Sequence, residues 1–377
     1  MSPFSPLDAR LMAKAIRLAA KGQFTTSPNP NVGCVLADAH GHIVGQGWHQ
    51  RAGRAHAEVH ALAQAGGKAR GATAYVTLEP CSHTGRTAPC ADALIQAGVS
   101  KVIAAMVDPN PLVAGMGLAK LAAAGIEVAH GLMAPQAANL NRGFIKRMLT
   151  GMPWVTVKLA SSLDGKTALA NGQSQWITAK PARQDVQRHR AKSCAILSGS
   201  GTVLADDPSL NVRYQETGLS DAILAQQDLR QPLRVILDGR NQLHSRLRLF
   251  TLPGDILIVN SRPNEQLPEG VLQWQAPYHN NQLDLSQVFT HLGSLQLNHI
   301  WVEAGGKLAG ALLQNRLIDE LILYQAPKLL GNKGQDMFAI DELSSMQQAY
   351  NLDWQDIRQL GGDIKLTALL QYPDPQS

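Results

Sequence analysis

Short apolar segments of strand-like composition alternate with segments of helical periodicity along most of this 377-residue chain. An N-terminal helix over Leu7 to Lys21 and a hairpin of Val32 to Ala37 with Ile43 to Gly47 come first. Three helix and strand pairs then follow, up to Val128. Such alternation is typical of α/β domains in which helices cover a mixed sheet. It predicts a three-layer α/β domain.

A break near residue 151 divides the chain. Asn139 to Thr150 has the pattern of a basic helix, and Gly151-Met152-Pro153 stops it because glycine and proline interrupt helices. Beyond it we predict a helix at Ala182 to Ala191 and strands at Trp154–Ala160, Ala195–Ser198, Leu233–Leu237, Ile256–Val259, His299–Val302 and Glu320–Gln325. The length also suits two domains. We therefore predict α/β domains over residues 1–150 and 151–377.

Composition excludes several classes of protein. Hydrophobic residues at 45% and charged residues at 17% are ordinary for a globular chain. There is no apolar run long enough to span a membrane, and the N-terminus lacks the basic and then apolar order of a secretory peptide. The four cysteines are too scattered for a disulfide framework in a chain of this size. We expect a cytoplasmic protein with reduced thiols and no membrane partner.

The net charge of +5 is unevenly distributed. Residues 1–150 hold 14 Lys/Arg against 7 Asp/Glu, whereas the rest of the chain holds 20 against 22. A basic half suits an anionic small molecule or a nucleic acid, and a merely solvated surface is the alternative.

Four residues have the spacing of a catalytic zinc site. His56-Ala57-Glu58 is followed by Pro80-Cys81 and Cys90, and zinc deaminases show H-x-E, then P-C and a second cysteine. Imidazole and thiolates suit zinc, and three protein ligands leave a fourth position for water. A glutamate two residues after the histidine can reach that water and move its proton to the substrate. The pattern predicts His56, Cys81 and Cys90 as zinc ligands and Glu58 as the catalytic residue.

The spacing between the two cysteines leaves alternatives open. Eight residues, Ser82 to Pro89, separate them, whereas C-x-x-C is the commoner spacing. Because His83 lies in this insert, a closed structural zinc site with His83 as fourth ligand is one alternative, and inert buried thiols are another. Glu58 favours the catalytic site, since a structural site has no use for a carboxylate there.

Three segments resemble the riboflavin-biosynthesis deaminases: Asn29-Pro30-Asn31-Val32-Gly33, His56-Ala57-Glu58 and Glu79 through Cys90. The long cysteine spacing is the norm in that family. The resemblance implies a cytidine-deaminase-like domain that replaces an amino group of a phosphoribosylamino-pyrimidine by oxygen. It also implies that Asn29 contacts the pyrimidine ring and that Arg86 binds the ribose phosphate. A solvated loop charge is the alternative for Arg86.

The second domain has no G-x-G-x-x-G dinucleotide fingerprint. It has instead an apolar strand, Trp301-Val302-Glu303, that leads through Gly305-Gly306 into a helix. The free N–H groups of a helix N-terminus bind anions. This turn is therefore either a cofactor site or a plain strand–helix corner.

Four further segments resemble the reductase that follows this deaminase in the riboflavin pathway: Lys158 to Lys166, Ser174 to Ile177, Leu204 to Pro208 and Val302 to Gly305. The resemblance implies a dihydrofolate-reductase-like fold that uses NADPH to reduce a ribosyl group to ribityl. It implies cofactor contacts by Ala160, Trp176, Thr202, Asp206, Gly305, Gly306, Lys307, Leu308, Ala309, Gly310 and Ala311. It implies substrate contacts by Ser174, Arg190, Leu210, Arg213 and Glu303.

Several roles in this domain stay open at the level of sequence. Lys158, Asp206 and Glu303 are all candidates for the proton that reduction of the sugar requires. Arg183 and Arg188 are candidates for the 2′-phosphate of NADPH. Trp176 fits the cofactor site and the core equally well.

Together these patterns predict a bifunctional enzyme with zinc and NADPH as cofactors and a phosphorylated pyrimidine as substrate, and we expect a homo-oligomer. A deaminase of nucleotides or of bases in nucleic acid, with an accessory domain, is the first alternative. A non-catalytic zinc module is the second. Nucleic acid is disfavoured because the aromatic residues of the first half are widely spread, at Phe4, Phe24, Trp48, Tyr75 and Phe144.

Overall fold

The computed structural model of the chain describes residues 4–82 and 89–373. The chain forms two compact units, which meet in the sequence between Gly151 and Met152. Each unit is built around its own β-sheet. No helix in the described part of the chain is long and apolar enough to cross a membrane.

The first unit has a mixed five-stranded sheet in the order β2-β1-β3-β4-β5. Strand β1 pairs antiparallel with β2 and β3, whereas β3, β4 and β5 run parallel. The strands are β1 Gly33–Ala37, β2 Ile43–Trp48, β3 Thr73–Val76, β4 Lys101–Ala104 and β5 Glu127–His130. The helices are α1 Pro6–Ala19, α2 Ala57–Ala65, α3 Cys90–Ala97, α4 Met116–Ala123, α5 Ala134–Leu140 and α6 Arg142–Thr150. The predicted hairpin and the alternation after it are confirmed.

Apolar side chains cover both faces of this sheet, which confirms the three-layer arrangement. Val35 and Ile103 face α1, where Leu11 and Met12 are buried, whereas Cys34, Leu36 and Val76 pack against α2 and α3. Strand β2 lies very close to α2, because a Cβ atom on Gly45 would be only 2.2 Å from the carbonyl oxygen of Ala61. This close packing fixes the helix that begins directly after His56.

The single basic helix predicted over Asn139 to Thr150 is wrong in one respect. The structure has two helices, α5 and α6, with Asn141 between them in a non-helical conformation. The Asn141 side chain accepts from the Asn31 amide at 2.7 Å and donates to the Asn31 carbonyl at 3.0 Å. These bonds to a distant loop explain why the helix is interrupted at this residue.

The second unit has a nine-stranded sheet in the order β11-β10-β9-β8-β14-β6-β15-β18-β17. The first seven strands in this order, from β11 to β15, run parallel to one another. The last two, β18 and β17, continue the sheet as an antiparallel hairpin. The strands are β6 Trp154–Ser162, β7 Lys166–Ala168, β8 Ala195–Gly199, β9 Leu233–Leu237, β10 Ile256–Asn260, β11 Leu272–Gln275, β12 Tyr278–His279, β13 Gln282–Leu283, β14 His299–Glu303, β15 Glu320–Ala326, β16 Gln335–Asp336, β17 Asn351–Leu360 and β18 Asp363–Gln371. The helices are α7 Lys180–Lys192, α8 Ser200–Asp206, α9 Tyr214–Thr217, α10 Leu285–Ser294 and α11 Gly306–Gln314.

Three central strands of this sheet, β8, β14 and β6, are neighbours and run in the same direction. Their carboxyl ends therefore lie side by side at one edge. Ligands of open α/β sheets bind at that edge. The residues that follow these strands include most of the predicted cofactor and substrate contacts.

Candidate active sites

The three predicted zinc ligands converge in the first unit. His56 directly precedes α2, Cys90 is the first residue of α3, and Cys81 lies in the loop after β3. His56 Nδ1 is 3.3 Å from Cys90 Sγ and 3.6 Å from Cys81 Sγ, and all three ligand atoms lie within 4.8 Å of one another. Tetrahedral zinc with ordinary Zn–N and Zn–S bonds places such atoms about 3.5 Å apart. The arrangement therefore fits a zinc ion.

Two backbone amides at the start of α3 support this geometry. The Cys90 amide donates to Cys81 Sγ at 3.3 Å, and the Ala91 amide donates to the Cys81 carbonyl at 3.1 Å. The contact with Cys90 lowers the pKa of the Cys81 thiol to about 4, and His56 acts in the same direction. A thiolate is the form of cysteine that binds metal.

Glu58 lies in the first turn of α2 and is only 3% exposed. Burial raises the pKa of its carboxyl group to about 7. Its Oε2 atom is buried without a hydrogen-bond partner in the described structure. Buried polar groups nearly always have a partner, so this oxygen is placed to receive one from a bound water or substrate.

Glu79 holds the loop that carries Cys81, a role that the sequence motif alone does not reveal. Its Oε1 accepts from the amides of Gly117 and Leu118 at 2.7 and 3.2 Å. Its Oε2 accepts from the amides of Gly115 and Asp108 at 2.9 and 3.0 Å. Because Glu79 lies two residues before Cys81, its carboxylate ties the loop of this metal ligand to the start of α4 and to the loop before α4.

Asn29 lies beside the metal cluster through His49. His49 is 2% exposed and contacts the His56 ring edge-on, with 5.4 Å between ring centroids. His49 Nδ1 is 3.1 Å from the Ala55 carbonyl, so Nδ1 must carry the proton and donate. In the neutral ring Nε2 then accepts from Asn29 Nδ2 at 3.0 Å. This fixes the Asn29 amide so that its oxygen is left for another donor.

Two residues of the insert between the cysteines, Arg86 and His83, lie outside the described residues. The predicted phosphate contact of Arg86 therefore stays a prediction. The same holds for the alternative in which His83 closes the zinc site.

In the second unit, Glu303 and Arg190 form a largely buried, bidentate ion pair. Arg190 Nε and its terminal nitrogen donate to the two carboxylate oxygens at 2.6 and 2.9 Å, and Trp301 Nε1 donates to Oε1 at 2.8 Å. Burial opposes ionisation of Glu303, but Arg190 outweighs it and lowers the pKa of the carboxyl group to about 2. Both residues were predicted as separate substrate contacts, whereas in the structure their side chains bind each other in an ion pair.

Lys158 lies next to this pair. It is the residue of β6 in register with Glu303 of β14, so the two side chains share a face of the sheet. Burial lowers the pKa of the Lys158 ammonium group, and Glu303 opposes that shift. Of the three predicted proton donors, Lys158 and Glu303 are together, whereas Asp206 is exposed at the end of α8.

The turn after β14 leaves open space at the predicted cofactor site. A Cβ atom on Gly305 would meet only Thr202 Oγ1, at 4.0 Å, and the Gly305 amide donates to that oxygen at 3.3 Å. On Gly306 a Cβ atom would lie 2.6 Å from the Asp336 carbonyl oxygen. The space at Gly305, beside the N-terminus of α11, fits the pyrophosphate of a dinucleotide.

The other predicted cofactor contacts differ in their surroundings. Lys307 is exposed, and Leu308 and Ala311 are half-buried, as is Ala160 on β6. Ala309 is fully buried, and a Cβ atom on Gly310 would lie 2.0 Å from the Ala339 carbonyl oxygen. Trp176 is 65% exposed, which rules out the core position, and the Arg183 guanidinium lies 4.6 Å from its ring centroid.

The remaining predicted substrate contacts, Leu210, Arg213 and Ser174, differ in their surroundings. Arg190 donates to the Asn211 carbonyl at 2.8 Å, which fixes the segment of Leu210 and Arg213. Leu210 has its side chain in the core, with a φ of 46°. Arg213 is paired with Glu216 at 2.6 Å. Ser174 is half-buried in the loop before Trp176.

Comparison with known proteins links both sites to one family. Residues 153–366 match the model of the RibD C-terminal domain. Residues 5–106 match the cytidine and deoxycytidylate deaminase zinc-binding region. The chain is 53% identical over 361 residues to the riboflavin biosynthesis protein RibD of Escherichia coli K12, which covers 95% of this chain and 98% of the relative.

Solved structures agree over nearly the whole length. Acinetobacter baumannii RibD is similar with a TM-score of 0.90 and 46% identity, covering 97% of this chain and 99% of that one. A Thermotoga maritima diaminohydroxyphosphoribosylaminopyrimidine deaminase/5-amino-6-(5-phosphoribosylamino)uracil reductase is similar with a TM-score of 0.85 and 31% identity, covering 98% of this chain and 99% of that one.

Proposed function

Since this chain belongs to the RibD family of riboflavin biosynthesis proteins, we propose that its two units catalyse consecutive steps at the two sites described above. The chain is a bifunctional deaminase and reductase with zinc and NADPH as cofactors. The first step removes ammonia from the diamino-pyrimidine that carries a phosphoribosylamino group. The second reduces the ribosyl group of the product to ribityl.

Zinc held by His56, Cys81 and Cys90 supplies the Lewis acidity that activates water for attack on the pyrimidine carbon. Glu58 moves two protons in turn: its unpartnered oxygen takes the first from the attacking water and passes it to the ring nitrogen, then takes the second from the hydroxyl group formed on the ring carbon and passes it to the amino group, which leaves as ammonia. The Asn29 amide, fixed by His49, directs its oxygen to a donor group of the ring. The convergence of two thiols and an imidazole beside a buried, unpartnered carboxylate carries this proposal.

A Glu58→Gln variant tests the deaminase assignment. We expect ammonia release to fall by at least about two orders of magnitude, because a proton carrier is lost, while bound zinc stays at one ion per chain. Glu127→Gln, a change of the same chemistry at an exposed residue, is the control. Full ammonia release by the Glu58 variant would contradict the role of Glu58.

In the second unit, bound NADPH supplies the hydride that reduces C1 of the sugar and opens the ribosyl ring. Opening the ring leaves an oxygen that needs a proton, and we assign Lys158 as its donor because it is half-buried and in register with Glu303 on the neighbouring strand. Glu303, held by Arg190 and Trp301, is placed to accept a sugar hydroxyl. Arg190 keeps further N–H groups for the substrate.

A Lys158→Met variant tests the reductase assignment. We expect oxidation of NADPH by the deaminated product to fall by about two orders of magnitude or more, with ammonia release unchanged as an internal control. Lys333→Met, at an exposed position, is the matched variant. Undiminished oxidation in the Lys158 variant would exclude Lys158 as the proton donor.

We further propose that the enzyme works in the cytoplasm as a homo-oligomer, on small molecules and not on nucleic acid. Strand β17 leaves one edge of the large sheet exposed, with Trp354 and Ile357 51% and 61% exposed. Exposed edges of this kind pair readily with other chains. Light scattering after gel filtration tests the assembly, and a monomer at micromolar concentration would contradict it.

A further inference from the structure

The indole of Trp301 connects two side chains of the reductase site. Its Nε1 donates to Glu303 Oε1 at 2.8 Å. Its ring is stacked on the imidazole of His189, with 4.8 Å between the ring centroids and 8° between the ring planes. His189 directly precedes Arg190 on α7, and Arg190 binds the same carboxylate. Two consecutive residues of one helix therefore reach Glu303, Arg190 directly and His189 through the indole.

The stack restricts the direction of the indole N–H. Side chains two residues apart on a strand share a face of the sheet, so Trp301 and Glu303 of β14 lie on the same face. Trp301 is fully buried there and packs in the same apolar cluster as Ala182 and Val186 of α7. Because a ring stacked on the indole limits its rotation, the plane of the His189 imidazole helps to fix where Nε1 points.

Lys365 fixes the His189 ring and its protonation state. Lys365 Nζ lies 2.8 Å from His189 Nε2 and 2.6 Å from Asp185 Oδ2. Because an ammonium group can only donate, Nε2 is the acceptor, and the neutral ring carries its proton on Nδ1. Burial lowers the pKa of His189 to about 4, and the charge of Lys365 acts in the same direction. The imidazole is therefore a neutral ring held in one orientation.

Asp185 and Tyr324 complete this network. Asp185 Oδ2 also accepts from the Tyr324 hydroxyl at 2.7 Å. Tyr324 and Lys365 are opposite each other on β15 and β18, and both are buried. A buried network whose members satisfy one another holds a single arrangement. Since replacing buried charged groups by apolar residues is often neutral or stabilising, stability alone does not explain this ion pair behind the ring that stacks on Trp301.

The C-terminal hairpin also holds the start of α7. Asp363 of β18 is 2% exposed, and its side chain accepts from the amide of Ala179, the residue before the helix, at 2.7 Å. Lys365, two residues further along β18, bonds to side chains of the same helix. Strand β18 thus positions the helix that supplies both His189 and Arg190.

We propose that His189 is a positioning residue of the reductase: held by Lys365 and Asp185, it fixes the Trp301 indole and thereby the carboxylate that accepts the sugar hydroxyl. The proposal rests on the reductase function proposed above. It assigns to the C-terminal hairpin a part in substrate binding, because Lys365 acts on Glu303 through two aromatic rings.

His189→Gln and His189→Phe separate the stack from the polar contact. Glutamine keeps an acceptor for Lys365 but has no ring, whereas phenylalanine keeps the ring but has no acceptor. In steady-state assays the KM for the deaminated product should rise about fivefold in His189→Gln, the size expected for the loss of a stacked ring pair, and about twofold in His189→Phe. In both variants kcat and the KM for NADPH should stay within about twofold of the wild type, because Glu303 binds the sugar and not the cofactor.

His291→Gln is the matched control. His291 of α10 is stacked on Trp274 of β11, with 4.0 Å between the ring centroids and 6° between the ring planes, at the β11 edge of the same sheet. The change removes the same kind of ring pair from the same unit, several strands away from Glu303. The KM for the deaminated product should equal that of the wild type. Thermal unfolding of each variant shows that the assay temperature lies below its transition.

A double variant shows whether His189 acts through Trp301. Trp301→Phe removes the indole N–H and is expected to raise the KM for the deaminated product about tenfold. Adding His189→Gln to Trp301→Phe should raise it no further, whereas independent effects would multiply to about 50-fold.

Three results would overturn the proposal. The first is a folded His189→Gln enzyme with the wild-type KM for the deaminated product. The second is an equal rise of that KM in His189→Gln and in either His189→Phe or His291→Gln, which would leave His189 a general packing residue. The third is multiplication of the two effects in the double variant. His189→Met, which also lacks a ring, takes the place of His189→Gln if the latter does not fold. No oxidation of NADPH by the wild-type enzyme would instead contradict the reductase function itself.

Discussion

Replacing Glu79 by glutamine is expected to loosen the loop that carries the zinc ligand Cys81. The four amides that bond the Glu79 carboxylate come from the segment between Asp108 and Leu118. This segment also packs directly on the residue before the ligand, since a Cβ atom on Gly117 would lie 1.9 Å from the Pro80 carbonyl oxygen. The carboxylate is therefore the point at which two loops are joined behind the metal site.

The cost of this change follows from the number of bonds. Each oxygen of Glu79 accepts from two amides. Whichever oxygen the glutamine NH₂ group replaces, two hydrogen bonds are lost and two amide donors face another donor. Hydrogen bonds to charged groups contribute about 1.5–3 kcal/mol each. The loss is then about 3–6 kcal/mol, a large share of the roughly 5–15 kcal/mol that stabilises a domain.

Thermal unfolding and zinc content measure the effect. We expect the Glu79→Gln enzyme to unfold its first unit at lower temperature and to lose zinc and ammonia release, while NADPH oxidation by added product is retained. Glu127→Gln is the control, because the Glu127 pair with Lys101, at 2.7 Å with Glu127 67% exposed, is a surface ion pair of about 0–1 kcal/mol. Equal unfolding temperature and zinc content in the two variants would refute the anchoring role of Glu79.

Three further predictions concern the reductase unit. Gly305→Ala should keep the unfolding temperature, because its Cβ atom would meet only an oxygen at 4.0 Å, but it should raise the KM for NADPH because the methyl group fills the proposed cofactor space. Gly306→Ala would place its Cβ atom 2.6 Å from a carbonyl oxygen and should destabilise the unit by about 1–3 kcal/mol in calorimetry. Since burial lowers the pKa of Lys158 below its ordinary 10.5, kcat/KM for reduction should fall as pH rises through that lowered value, and an unchanged rate to pH 10.5 would contradict it. Trp301→Phe removes the N–H donor at 2.8 Å from Glu303 and should raise the KM for the deaminated product about tenfold with little change in that for NADPH.

The zinc ligands could be proposed from sequence because their chemistry is tied to local spacing. Glu58 is two residues from His56, and both are placed by the start of one helix. Cys90 likewise begins a helix. The site requires thiol, imidazole and carboxylate side chains, and the starts of two helices fix where these lie in the sequence. The resulting motif can therefore be recognised before the fold is known.

The residues that support this site left no such pattern. Asn141 bonds to Asn31 across 110 positions in the chain, and Glu79 bonds to amides 29 to 39 residues away. Their partners are backbone groups, which every residue has, so no side-chain type at the other end marks the contact. Only the folded chain shows that an ordinary asparagine ends a helix and fixes the loop that carries Asn29 and Asn31.

The C-terminal hairpin was missed for a different physical reason. Strand β17 is mostly exposed and lies at the edge of the sheet, and it includes Asp353, Asp356 and Arg358. Such a strand has neither the continuous apolar run of the buried parallel strands nor a regular alternation. The strand is stabilised by its pairing with β18, and the sequence of the β17 segment alone does not indicate that pairing.

The ion pair of Glu303 with Arg190 shows how the structure changes the chemistry inferred from single residues. Sequence similarity assigns both side chains to the substrate, yet most of the hydrogen-bonding capacity of the carboxylate is used by Arg190 and Trp301. A carboxylate held this way stays ionised across the physiological range, since its pKa is about 2, and it cannot act as the acid in the reduction. We propose that the proton comes from a charged neighbour on the same face, and among the described residues Lys158, half-buried and in register with Glu303, meets that requirement. We therefore propose two roles for Arg190: it contacts the substrate, and it fixes Glu303 as an acceptor, so that proton donation falls to Lys158.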